Sequence, residues 1–240
     1  MLDENRTMEW RTIRVAKDGL GFLFHDQPLW QGRFRRVLKF HAPGLAPVLG
    51  NEGWYHIDIH GQPVYPERYD RAFGYYNDRA AVCVGDDWFH IDPLGRRVGS
   101  QSFAWCGNFQ EGRCPVRASD GSYHHIQIDG TSAYSDIFRY AGDFRDGVAC
   151  VKMMDGLFMH IDPHGQPIHD GRYLELGPYH KGIATALDQK GWFHIDDQGK
   201  ELYRHRFRTI EPFYNGQALV RDLDGKQLVL DELGRTALAV

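Results

Sequence analysis

Trp54-Tyr55-His56-Ile57-Asp58 returns as Trp88-Phe89-His90-Ile91-Asp92 and again as Trp192-Phe193-His194-Ile195-Asp196. Two drifted copies lie between them, Tyr123-His124-His125-Ile126-Gln127 and Phe158-Met159-His160-Ile161-Asp162. The histidines at 56, 90, 125, 160 and 194 are therefore spaced by 34, 35, 35 and 34 residues. Fainter copies flank the series at Leu20-Gly21-Phe22-Leu23-Phe24 and Gln227-Leu228-Val229-Leu230-Asp231. A fixed period of this length marks a repeat architecture. A glycine follows the copies at a constant offset, as Gly61, Gly95, Gly130, Gly165, Gly199 and Gly234. Asp92-Pro93-Leu94-Gly95 and Asp162-Pro163-His164-Gly165 place Asp, Pro and Gly where a type I turn needs them. Each pentapeptide thus reads as a strand running into a tight hairpin.

A second theme recurs between the first. Gly44-Leu45-Ala46-Pro47-Val48 is matched by Gly112 to Val116, Gly147 to Val151 and Gly216 to Val220, with drifted versions at Asp78 to Val82 and Gly182 to Ala186. Its small-x-Val alternation has the period of a strand. Asp120-Gly121, Asp155-Gly156 and Asp224-Gly225 then supply hairpin turns. No stretch has the periodicity of an amphipathic helix. The pattern predicts an all-β antiparallel repeat protein, a propeller-like ring of six to seven small blades of about 35 residues each. An open β-solenoid of hairpin units is the alternative. The whole chain, 1–240, reads as one β-repeat domain with units at 20–53, 54–87, 88–121, 122–155, 156–190 and 191–225. Segments 8–19 and 226–240 read as partial units that pair to close the ring, which would place Ile13 and Leu230 in one sheet.

The chain has 240 residues, 42% hydrophobic and 25% charged, enough for a core without crosslinks. A net charge of −4 argues against nucleic acid as a partner. No apolar run approaches a membrane span. The first ten residues carry Asp3, Glu4, Arg6 and Glu9 and lack the apolar core of a secretory leader, which gives a cytoplasmic expectation. Cys83, Cys106, Cys114 and Cys150 have no metal or redox spacing and read as reduced, mainly core residues.

The two linked motifs resemble the bacterial WG-repeat family. Its unit runs Trp-Gly-aromatic-Ile-Asp, a Gly hairpin, a Tyr-Asp segment, then aromatic-x-x-Gly-x-Ala-x-Val. Trp54 to Asp58, Gly61, Tyr69-Asp70 and Gly44 to Val48 carry the likeness, which extends from Leu20 to Gly234. The family's Gly after Trp is here Tyr55, Phe89 or Phe193, and its following aromatic is His. The resemblance implies a binding or scaffold module, at times attached to an enzymatic domain such as a methyltransferase. It carries no catalytic residues and no cofactor.

Among individual residues, His56, His90, His125, His160 and His194 serve the repeat, the rival reading being a metal-dependent enzyme built on a histidine ring. Of the other histidines only His60 and His164 share a slot, and His169 and His180 follow none. No metal site is expected. Trp30, Trp105 and Tyr214 depart from the aromatic period and are candidate contacts for a carbohydrate or other small ligand. Arg35 and Arg36 in Arg33-Phe34-Arg35-Arg36, and Arg206 and Arg208 in Arg204-His205-Arg206-Phe207-Arg208, are candidate grips for an acidic partner or phosphate. The plainer reading of both clusters is a solvated strand face. Phosphate loops, dinucleotide fingerprints and nucleophile elbows are absent. The expected function is non-catalytic binding of a protein partner or a fused catalytic domain.

Overall fold

In five of the sheets a small residue stands opposite isoleucine or leucine. Ala46 pairs with Ile57, Ala80 with Ile91, Ala149 with Ile161 and Ala184 with Ile195, and Ala218 pairs with Leu230. All ten are buried. The small side chain leaves room for its bulky cross-strand neighbour on one face of the pleat, which is why the second theme must read small-x-Val.

The computed structural model describes residues 8–239; the opening Met1 to Thr7 and the closing Val240 of the predicted domain lie outside the described residues. Among the described residues seven antiparallel sheets follow one another along the chain. Sheet 1 is Arg14–Val15, Phe22–Phe24 and Gln27–Leu29; sheet 2 is Arg36–Val37, Ala46–Leu49 and Trp54–Ile57. Sheet 3 is Arg71–Tyr76, Arg79–Val84, Asp87–Ile91 and Arg97–Phe103, and sheet 4 is Trp105–Cys106, Arg113–Arg117 and Tyr123–Gln127. Sheet 5 is Tyr140–Ala141, Ala149–Lys152 and Phe158–Ile161; sheet 6 is Glu175–Leu176, Ile183–Asp188 and Gly191–Asp196. Sheet 7 is Thr209–Ile210, Gln217–Arg221, Gln227–Asp231 and Thr236–Ala239. The helical content among the described residues is one 3-10 turn at Trp10–Thr12.

From sheet 2 onward each sheet has an opening strand (two residues long except in sheet 3, where it has six), a middle strand from the second theme and a third strand from the first theme. A return segment closes the sheet. It is a regular strand in sheets 3 and 7 and elsewhere only isolated bridges, such as Ile57 to Pro63 and Trp54 to Tyr69. The middle and third strands belong to different sequence units, so every unit is shared between two sheets. The hairpin after the third strand is closed by its aspartate. Asp92 Oδ1 accepts the amides of Leu94 at 2.9 Å and Arg96 at 3.0 Å, and Gly95 N donates to Asp92 O at 2.9 Å. Asp58, Asp162, Asp196 and Asp231 repeat this turn.

The ends depart from the expectation. Among the described residues sheet 1 starts at its middle strand, while Leu230 pairs with Ala218 and Thr236 inside sheet 7. Ile13 lies outside that sheet, and no ladder joins the two terminal sheets among the described residues.

The chain divides into two compact units, one running to Gly121 and including His125–Ser132, the other Ser122–His124 and the chain from Ala133. The first has cores around Val48, Ile57 and Tyr75 and around Cys114 and Ile126. The second has cores around Val151 and Ile161 and around Ile195 and Phe213. All four cysteines are free and stand in strands, with Cys150 half-buried and the others buried. No helix among the described residues is long and apolar enough to cross a membrane.

Candidate functional site

The five repeated histidines are buried to 2% exposure or less. Nε2 of His56 lies 2.8 Å from Phe73 O, that of His90 3.0 Å from Gly107 O, that of His160 2.9 Å from Gly177 O and that of His194 2.9 Å from Glu211 O. A carbonyl only accepts, so Nε2 carries the proton and Nδ1 of the neutral ring is an acceptor. The Tyr65 hydroxyl donates to Nδ1 of His56, and the Tyr203 hydroxyl to Nδ1 of His194. At His160 the donor is Nε2 of His169 at 3.2 Å, whose own Nδ1 accepts the Gly171 amide at 3.1 Å. His169, which follows no slot on the sequence reading, in fact occupies the tyrosine's place nine residues after the repeated histidine. Burial pushes His56, His90, His160 and His194 down to about 4. These rings pin the return segment and the next sheet's opening strand. At His56, His160 and His194 both nitrogens are engaged, each ring stands in its own sheet, and no group of three metal-ligating side chains occurs among the described residues.

One repeat position behaves differently. The first residue of each opening strand is exposed, while the residue after it is buried or half-buried. The slot is held in one register, by pairs such as Arg36 to Leu49, Arg71 to Cys83 and Trp105 to Arg117 in the first unit. In the second unit Tyr140 pairs with Lys152, Glu175 with Leu187 and Thr209 with Arg221. The scaffold repeats around it, yet its occupant runs Arg, Arg, Trp in one unit and Tyr, Glu, Thr in the other. Side chains that vary where the frame is constant are free to serve a ligand.

Grooves open beside this slot. In the first unit, Arg36, Leu38 and Trp54 of sheet 2 face Arg71, Ala72 and Phe73 of sheet 3 across a groove of about 390 Å³. Phe73 stacks on Trp88 with centroids 5.7 Å apart. In the second unit, sheets 5 and 6 enclose a cavity of about 300 Å³ whose walls include Tyr140, Phe158, Leu176 and Tyr179. Asp143 also lines it, and desolvation by burial pushes its carboxyl above the ordinary range.

Two sequence candidates fall on the slot, Arg36 and Trp105, the latter 36% exposed. Arg35 and Arg208 are exposed and directly precede it; their amides donate to Leu49 O and Arg221 O, each at 2.8 Å. The other three stand elsewhere. Trp30 packs edge-on to Phe22 and Phe34 and lies over Gly61. Tyr214, 64% exposed, leans on His180 in a hairpin loop at 5.2 Å. Arg206 is turned inward, bonded to Asp188 at 2.8 Å and Glu201 at 2.6 Å, with its guanidinium 3.7 Å above the Phe193 ring. Arg71, Phe73 and Trp54 were missed as site residues. The signal was present, because Arg71 follows Arg36 by 35 residues, the period of the repeat.

Segments 57–88 and 192–226 match the family described as WG containing repeat. No curated protein sequence matches the chain significantly. Among solved structures, BamB from Moraxella catarrhalis is similar with a TM-score of 0.50 at 13% identity, over 95% of this chain and 84% of that one. The computationally designed Ika8 protein gives 0.49 at 17% identity, over 95% and 83%, and Kluyveromyces lactis Hsv2p gives 0.48 at 9% identity, over 89% and 87%. Likeness at these identities concerns the fold, and the fold class is the β-propeller. The recurrent sheets, the repeat match and the predicted motifs agree, and the chain carries WG-containing repeats at 57–88 and 192–226.

Proposed function

We propose that this chain is a non-catalytic binding module that holds a partner protein along the grooves beside its opening strands. The observation that carries the reading is the exposed slot whose occupant changes from Arg36 and Arg71 to Trp105, and from Tyr140 to Glu175 and Thr209, within a constant frame. Aromatic and arginine side chains on a rigid scaffold are the residue types that anchor protein interfaces. Under the same reading the module works in the bacterial cytoplasm, on a separate protein or on a catalytic domain of the same polypeptide, such as a methyltransferase. A photo-crosslinking amino acid placed at Trp105 or Tyr140 should capture discrete partners in cells. The same group at the exposed turn residues Leu94 or Leu233 should not. Identical products from all four positions, or none from the slot, would reject the reading.

A second reading, small-ligand binding, is favoured by the aromatic-walled cavity in the second unit. A thermal-shift panel of sugars and aromatic metabolites should then raise the melting point. Filling the cavity by Gly142→Leu should remove the shift.

A further inference from the structure

Arg36 and Arg71 occupy the same register on adjacent sheets of one compact unit, and both are exposed. Neither guanidinium forms a hydrogen bond or ion pair among the described residues, although Arg14, Arg96, Arg206 and Arg235 each have a carboxylate within 3 Å. The one carboxylate lining their groove, Asp70, commits Oδ2 to the Gly85 amide at 2.7 Å. The apolar part of the lining is Leu38, Trp54, Ala72 and Phe73. Upstream, Arg33 to Lys39 contributes Arg33, Arg35 and Lys39 and no acidic residue. This local positive charge stands on a chain of net charge −4, so it is not a by-product of a basic composition.

We infer that the groove between sheets 2 and 3 binds an extended acidic segment of a partner protein. Carboxylates of the segment engage Arg36 and Arg71, and an intervening apolar side chain rests on Trp54 and Phe73. This rests on the protein-binding reading above and adds the chemistry of the partner. An extended peptide alternates its side chains with period two, so one residue spacing delivers carboxylates to the rims and an apolar group to the floor. The guanidinium fork matches a carboxylate in two parallel hydrogen bonds. Nucleic acid is disfavoured by the overall negative charge, and an inorganic anion has nothing to place on the apolar floor.

The test uses the full chain and a fluorescein-labelled octapeptide with three glutamates and one phenylalanine among serines. Anisotropy should show saturable binding that weakens as salt rises. Arg36→Ala and Arg71→Ala should each weaken it about tenfold, and Arg36→Glu with Arg71→Glu should abolish it. Both positions are exposed, so unchanged melting curves confirm that the variants fold. A glutamine version of the peptide should not bind. Equal binding of the glutamine peptide, unchanged binding by the double charge reversal, or no binding at millimolar peptide would overturn the inference. Displacement by inorganic phosphate at equal concentration would also overturn it, by making the ligand a simple anion. Crosslinks from Trp105 and Tyr140 that persist when the acidic peptide fails would leave the protein-binding reading standing and remove this one alone.

Discussion

A buried histidine that is neutral by construction makes the fold sensitive to acid. His56, His90, His160 and His194 are held near 4, whereas the free side chain titrates at 6.5. The unfolded chain therefore takes up protons first as pH falls. Stability is complete above pH 6.5 and is lost progressively between pH 6.5 and about 4. Each ring contributes on the order of 3 kcal/mol across that window, so four together rival the whole stability of a domain. Thermal melts should be flat above pH 7 and collapse near pH 5; a midpoint that holds to pH 4 would contradict the hydrogen-bond assignment. The weakest link is His160, because its partner His169 already presents an N–H to Nδ1, and a second proton there has no acceptor. Tyrosine fills this place at Tyr65 and Tyr203, and its hydroxyl can turn to accept. His169→Tyr should raise the melting point at pH 5.5 by several degrees and leave pH 8 nearly unchanged. The structural role of the histidines was legible in their strict period. Their partners were not, since Tyr65, His169 and Tyr203 share an offset but not a residue type.

At the level of the element, the hairpin glycine and the inward arginine decide how each sheet closes. Gly95 has φ +79° and a side chain there would stand 2.5 Å from the Tyr65 ring, too close for any rotamer to relieve. Gly95→Ala should cost about 2 kcal/mol or more in urea unfolding, from backbone strain together with the displaced ring. Gly121, with φ +88° and open space around it, should lose only about 1 kcal/mol on the same change. Arg206 ties the return segment of sheet 6 to its hairpin through Asp188 and Glu201, whereas its counterpart Arg68 in sheet 2 lies over the Tyr55 ring at 4.0 Å and bonds only carbonyls of its own segment. Arg206→Lys keeps the charge but not the planar fork, and should cost about 1 kcal/mol by the same measurement. Middle and third strands were readable because they alternate over four residues or more. Opening strands such as Arg36–Val37 and Tyr140–Ala141 were not, because two residues carry no period. Arg206 was misplaced for a related reason. Its offset of twelve from His194 matches that of Arg68 from His56, a periodicity hidden inside a local run of charge.

For the molecule as a whole, the decisive feature is that sequence unit and sheet are out of step. Residues 88–121 supply the third and return strands of sheet 3, then the opening and middle strands of sheet 4. Removing all 34 of them brings the middle strand Arg79–Val84 before Tyr123–Gln127, a pairing of the same kind as those lost. Removing only the 17 residues 88–104 leaves two middle strands in succession with no third strand for the first. The larger deletion should therefore give the more stable protein, as judged by circular dichroism and urea midpoints. The reverse order would mean that the repeats do not act as interchangeable modules. A ring-like series of six to seven sheets was legible from spacing and the repeat family from the likeness of the two motifs, whereas the separate pairing of the two ends was not, since spacing does not say which strand is left at the edge of a sheet.

That open edge has a consequence for the protein in crowded solution. Sheet 1 ends on Arg14–Val15, whose outer side pairs with no strand among the described residues. An unprotected β-edge is a template on which a second chain can grow, and long flat edges lead to fibres. Here the edge is two residues long, and its first residue is an arginine paired with Asp26. Both features are the means by which natural sheets discourage such templating.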